Sequence, residues 1–167
     1  DVFSIKYYLC NGIVKGIYNY ENPMFAYKVY DKFKIYRPLG NKYIKWRSNL
    51  DNNHIQGLAQ IPEFGDTLII TKSLKDVMVL YEMGITAISP SSETTFIPDD
   101  ILGDLKNKWK HIYILYDRDA TGMKQAHNYS KKYNIDAFFI NKRFKAKDIS
   151  DAVKLNGFTK VKNWLLK

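Results

Sequence analysis

No disulfide framework and no cysteine-based zinc site can be built within this chain, because Cys10 is its single cysteine. A lone buried thiol fits a reducing compartment, so a cytoplasmic setting is expected, the host cytoplasm if the source is viral. Histidine is scarce too, and His54, His111 and His127 are not in metal-ligand spacing. No apolar run approaches the ~20 residues that cross a bilayer, so no membrane partner is expected. No G-x-x-x-x-G-K-S/T loop is present, which excludes a phosphate-loop motor within these residues. The opening DVFSIKYYL has no initiating Met and no signal-peptide pattern, and reads as a piece cut from a longer protein.

Acid is in short supply as well. Lys and Arg total 26 against 17 Asp and Glu, a formal charge of +9 that suits an anionic partner, nucleic acid before others. With 46% hydrophobic and 15% aromatic residues the chain is globular rather than disordered. Its 167 residues suffice for one domain, or two small ones sharing a core.

The texture changes along the chain. Residues 1–62 are rich in Tyr, Lys and Asn, and they alternate. In FAYKVYDKFKIYRPL, Phe25, Tyr27 and Val29 take one parity while Lys28, Lys32, Lys34 and Tyr36 take the other, which predicts strands. Asn11-Gly12 predicts a hairpin turn between two more. A small antiparallel sheet is expected. From Glu63 onward, short apolar strands (67–71, 85–89, 111–117, 136–141) alternate with amphipathic helices (73–84, 99–109, 120–133). A single final helix is expected from Asp148 to the end. This order predicts a parallel sheet with helices on both faces, the second part of an α+β chain divided 1–62 and 63–167.

Ligands of such sheets gather outside the carboxyl ends of the strands. Asp76 follows the first of these ends, Glu93 the second, Asp117 and Asp119 the third, and Asp148 and Asp151 the fourth. Two aspartates two residues apart at the end of an apolar strand raise the cost of ionising each other unless a cation is near. Oxygen ligands of this kind suit Mg²⁺ or Mn²⁺, and behind the metal a nucleotide phosphate. Asp99, Asp100 and Asp136, by contrast, read as ordinary helix-start and cap residues.

Three segments carry a resemblance. LIITKSLKDVMVLYEMGI, YILYDRDATG and KAKDISDAVKLNG, in that order, resemble the TOPRIM fold shared by bacterial and phage primases, topoisomerases and some nucleases. Asp117, Asp119 and Gly122 match its D-x-D-x-x-G motif. Lys75-Asp76 matches the first segment, and Lys147-Asp148-Ile149-Ser150-Asp151 looks like the Lys-Asp-x-Asn/Ser-acid stretch of phage-type primases. The likeness covers about residues 66–160. One position departs: where the family has a glutamate after the first strand, this chain has Lys72, and an ammonium cannot bind a metal. Two readings follow. Lys72 contacts a phosphate directly while Glu93 supplies the lost carboxylate, or the site has lost its chemistry and only binds nucleic acid.

The resemblance implies a primase core that joins ribonucleoside triphosphates on a single-stranded DNA template. Metal would be held by Asp117, Asp119 and Asp148, with Asp76, Gly122 and Asp151 in support. Lys142, Arg143, Lys145 and Lys147 would receive the triphosphate. The first half resembles the basic subdomain that precedes TOPRIM in primases, with Lys28, Lys32, Lys34, Arg37, Lys45 and Arg47 on template phosphates and aromatic rings on bases. A replicative helicase is a candidate partner. The alternatives are a TOPRIM nuclease or topoisomerase-like enzyme, and a catalytically silent single-strand-binding domain.

Overall fold

The computed structural model describes residues 2–10, 13–17, 21–29, 31–41, 43–51, 53–92 and 95–167. It divides into two compact units, Asp1–Asp51 and Asn52–Lys167. The texture change at Glu63 is therefore not the boundary between units. Ile55 belongs to the core of the second unit, and buried Gln56 donates to Ser89 Oγ (2.8 Å) and to the Pro90 carbonyl (2.7 Å), which anchors the preceding loop there. Composition follows the surface of residues 52–62, whereas the unit is decided by those few inward-facing residues.

The first unit contains β1 (Val2–Ser4), β2 (Tyr7–Cys10), β3 (Ile13–Ile17), β4 (Phe25–Val29), β5 (Lys32–Tyr36) and β6 (Trp46–Ser48). Strands β1, β4, β5 and β6 form an antiparallel sheet in the order β1-β4-β5-β6, and β2 pairs with β3 apart from it. The Asn11-Gly12 turn lies outside the described residues. The β4–β5 register sets Tyr27 opposite Lys34 and Phe25 opposite Tyr36, and β6 adds Trp46 opposite Tyr36. Residues directly opposite share a face. Lys32 and Lys34 thus stand on the aromatic face, while Lys28 and Arg47 stand on the other with Ala26 and Ile35. Lysines and aromatic rings therefore share a face, because the β4–β5 register pairs odd-numbered residues with even-numbered ones.

The second unit holds β7 (Gly65–Thr71), α1 (Leu74–Glu82), β8 (Ala87–Ile88), α2 (Asp99–Lys108), β9 (Trp109–Leu115), α3 (Ala120–Tyr133), β10 (Asp136–Phe138), α4 (Ile149–Asn156) and α5 (Phe158–Leu165). Its sheet is parallel throughout, in the order β10-β9-β7-β8. Successive residues of β7 serve opposite faces. Leu68 and Ile70 pack with Leu102 and Leu105 of α2 and Ala126 and Tyr129 of α3. Ile69 packs with Val77 and Leu80 of α1 and with Ile149, Ala152 and Val161 of α4 and α5. Apolar residues at consecutive positions are what a sheet covered on both faces requires.

The single helix expected after Asp148 is two. Gly157, at φ 85°, ends α4 and starts α5, a backbone conformation that L side chains enter only with strain. No described helix is long and apolar enough to cross a membrane.

Candidate catalytic edge

Parallel pairing aligns the ends of two central strands, Thr71 of β7 beside Leu115 of β9. The residues that follow, Lys72 and Asp117, leave the sheet at the same edge. Three helices also begin there, capped by Ser73 (α1), Asp119 (α3) and Asp148 (α4). Each cap accepts from the amide three residues on, which satisfies one of the unpaired donors of a helix start. Asp119 Oδ1 accepts from Gly122 N at 2.9 Å, and Asp148 Oδ1 from Asp151 N at 2.6 Å. Gly122 has a second reason to be glycine: a Cβ there would sit 2.3 Å from the Asp117 carbonyl oxygen. The helix start is pressed onto the backbone of the acid itself.

Asp117 is almost fully buried. Its Oδ2 accepts from Lys72 Nζ, and Lys147 Nζ lies 3.7 Å from the same oxygen. A bond from Arg118 N to the Lys147 carbonyl (2.7 Å) brings that lysine alongside. The other oxygen, Oδ1, is buried with no hydrogen-bond partner among the described residues. Burial pushes the Asp117 carboxyl up to about 6, against the pull of Lys72, and the charges of Asp148 and Asp76 push the same way.

Asp76 is the second buried acid. It accepts from Ser73 Oγ (2.7 Å) and from Ser150 Oγ (2.5 Å), clasping the start of α1 to the start of α4. Burial and then the charge of Asp148 hold its carboxyl above the usual range. Asp148 Oδ2 lies 3.8 Å from Lys75 Nζ. Ser150→Ala leaves a buried carboxylate short of a donor and is expected to cost about 1.5–3 kcal/mol in urea denaturation.

Of the residues marked in the sequence, Lys72 and Lys147 therefore meet Asp117 directly, while Asp148 pairs with Lys75 and Asp76 is held by Ser73 and Ser150 at the same edge. Asp119 and Asp151 complete caps at the same helix starts. Glu93 lies outside the described residues. Lys142, Arg143 and Lys145 are exposed on the turn before α4, with Arg143 over the Phe144 ring at 4.9 Å, and no ion pair among the described residues joins them to these acids. Sequence reasoning missed the pairing of Lys75 with Asp148 and the Ser150 half of the clasp. Ser73 was legible only as a cap, because its contact with Asp76 depends on the side chain turning inward.

In the first unit the expected template contacts divide by surroundings. Trp46 stacks on Tyr36 with centroids 4.3 Å apart, and Lys34 Nζ lies 4.9 Å from the Trp46 ring centroid. Burial pushes the Lys34 ammonium down to about 8. Lys45 sits over Tyr36 at 6.0 Å, and Lys32 pairs with Asp51 at 2.6 Å. Arg37 is half-buried, whereas Lys28 and Arg47 are exposed.

No family model matches the sequence, and no curated protein does. Among solved structures the chain is similar to the DnaG primase catalytic domain bound to single-stranded DNA, at 19% identity and a TM-score of 0.61 over 86% of this chain. It is similar to the primase fragment of the bacteriophage T7 primase-helicase protein, at 12% identity and 0.62 over 87%. The E. coli primase catalytic core matches at 18% identity and 0.60 over 93%. The chain spans 53%, 64% and 56% of the lengths of these three. Its fold is that of the TOPRIM-type primase catalytic cores: a small antiparallel unit followed by a parallel sheet with helices on both faces.

Proposed function

We propose that this chain is the nucleotide-joining core of a DNA primase, making short RNA on single-stranded DNA. The observation that carries the reading is Asp117: a buried carboxylate with one unpartnered oxygen, beside Asp148, at the carboxyl edge of a sheet with the primase-core fold. A Mg²⁺ or Mn²⁺ ion fits that donor set in one way. Among the described residues no three acids converge to hold a metal by themselves. The protein would supply one or two carboxylates, as Mg²⁺ sites do when phosphate oxygens and water complete the shell. Asp117 and Asp148 would hold the ion, with Asp119 beside them.

When bound, the metal supplies activation of the attacking hydroxyl and neutralisation of the pyrophosphate leaving group. The chain's own residues orient the reactants. Lys72, Lys75 and Lys147 present ammonium groups to the phosphates, and the exposed Lys142, Arg143 and Lys145 draw the triphosphate in. The 3′-hydroxyl then attacks the α-phosphate of the next nucleotide, and pyrophosphate leaves. A replicative helicase is the proposed protein partner.

On the template, Lys28 and Arg47 are the phosphate contacts, because their charges are exposed. Lys34, buried against Trp46, serves the sheet. Lys28→Ala and Arg47→Ala are each expected to flatten the dependence of log K on log salt by about 0.7 for a single strand, and Lys34→Ala to leave it unchanged. Fluorescence anisotropy across a salt series checks this.

The deciding assay supplies single-stranded DNA, labelled ribonucleotides and Mg²⁺ or Mn²⁺. Short RNA made by the parent, and none by an Asp117→Asn/Asp119→Asn variant, is the expected result. The ion pair of Lys72 with Asp117 favours a second reading, a silent domain that binds single strands. Binding without any incorporation would establish that reading instead.

A further inference from the structure

Lysines from three different positions press on the two carboxylates of the catalytic edge. Lys72, leaving β7, bonds Asp117 Oδ2, and Lys147, leaving the turn before α4, lies 3.7 Å from the same oxygen. Lys75, in the first turn of α1, is 3.8 Å from Asp148. The Lys72 side chain is 18% exposed and that of Asp117 is 1% exposed, so their attraction is weakly screened by solvent. A divalent cation arriving alone at Asp117 meets carboxylates already matched by ammonium groups, and it meets like charge. A triphosphate changes that balance, because it brings several negative oxygens that can accept from the displaced ammonium. The lysine stem is flexible enough to exchange one oxygen for another nearby.

We propose that Lys72 is a built-in counter-ion that makes metal binding at this edge conditional on a nucleoside triphosphate. In the nucleotide-free state its ammonium holds Asp117. When the metal and triphosphate arrive together, the ammonium passes to a phosphate oxygen and the carboxylate passes to the metal. Metal and triphosphate then enter as a pair, which keeps stray cations off the acids and couples metal binding to substrate. This rests on the reading of the edge as a metal and triphosphate site.

Two binding measurements on Lys72→Met test it. Mn²⁺ alone, followed by the electron paramagnetic resonance of the free ion, is expected to bind Lys72→Met about tenfold more tightly than the parent. The Mn²⁺ complex of α,β-methylene-ATP, followed by calorimetry, is expected to bind it about tenfold more weakly. A role confined to packing would move both affinities in one direction. Lys72→Gln, which can still donate to Asp117, is the second neutral variant and is expected to show the same opposed shifts with a fold kept by that bond. Unchanged Mn²⁺ affinity in both variants, or a joint fall of both affinities, overturns the proposal. Primer synthesis is scored separately. A parent that makes RNA without these shifts keeps the primase reading and loses this one; opposed shifts without RNA do the reverse.

Discussion

Asp117→Asn is expected to lower primer synthesis by at least about 10²-fold and to stabilise the protein above pH 6, two effects of opposite sign from one atom change. The activity loss follows from removing the charge of the one acid that is buried, half-partnered and central to the edge. The stability gain follows from linkage. The folded carboxyl titrates at about 6, raised from 3.8 chiefly by burial. The folded state therefore holds the proton more tightly than the unfolded one. The stability this contributes is complete below pH 3.8 and is lost as pH rises through 6. Asparagine is neutral throughout. The advantage of Asp117→Asn should grow between about pH 4 and 6 and then stay level, with Asp76 contributing the same slope to both proteins. Urea denaturation at pH 4, 5, 6 and 7 reads this directly. A variant less stable than the parent at pH 7 would mean that the ion pair with Lys72 outweighs the cost of burial. Retained activity would remove Asp117 from the chemistry.

The other large effect is expected at Gly122, and it runs against helix propensity. Alanine in place of glycine within a helix ordinarily gains up to about 1 kcal/mol. Gly103 in α2 is the control: it is exposed and a Cβ there meets nothing within 4 Å, so Gly103→Ala should gain. At Gly122 the added Cβ would lie 2.3 Å from the Asp117 carbonyl oxygen and 2.9 Å from the Asp117 Cβ. Backbone must move, and Gly122→Ala is expected to lose about 3 kcal/mol. Because the atoms it strikes belong to Asp117, primer synthesis should fall with it. Urea midpoints of the two variants, measured side by side, give the contrast. Equal gains at both positions would show that α3 shifts freely away from the strand end.

Sorting the chain's features by range explains which of them could be read before folding. Leu68-Ile69-Ile70 announced a strand covered on both faces, because apolar side chains on successive positions leave no solvent face. Ser73 announced a helix start, because a cap acts three residues away, whereas Asp119 and Asp148 were read as metal ligands and emerged as caps only in the structure. The D-x-D-x-x-G run was legible through its likeness to the TOPRIM motif, and the structure adds the reason for its glycine: Gly122 is pressed onto Asp117, five positions earlier along the chain. The antiparallel character of the first unit was legible from its alternation, but the placing of its lysines was not. Parity within a strand is local, whereas the face it occupies depends on the partner strand and on the hairpin between them.

Local interactions were thus sufficient for the order of the parallel sheet's strands and helices along the chain, though not for the break at Gly157 that makes two helices of the last one. The pairing of charges needed the folded chain. Lys72 meets Asp117 across 45 positions only because Thr71 and Leu115 are neighbours in the register of β7 and β9. Ser150 reaches Asp76 across 74 positions only because α1 and α4 pack on the same face of the sheet. The resemblance marked Lys72 as a departure; register decided that its ammonium would lie on Asp117.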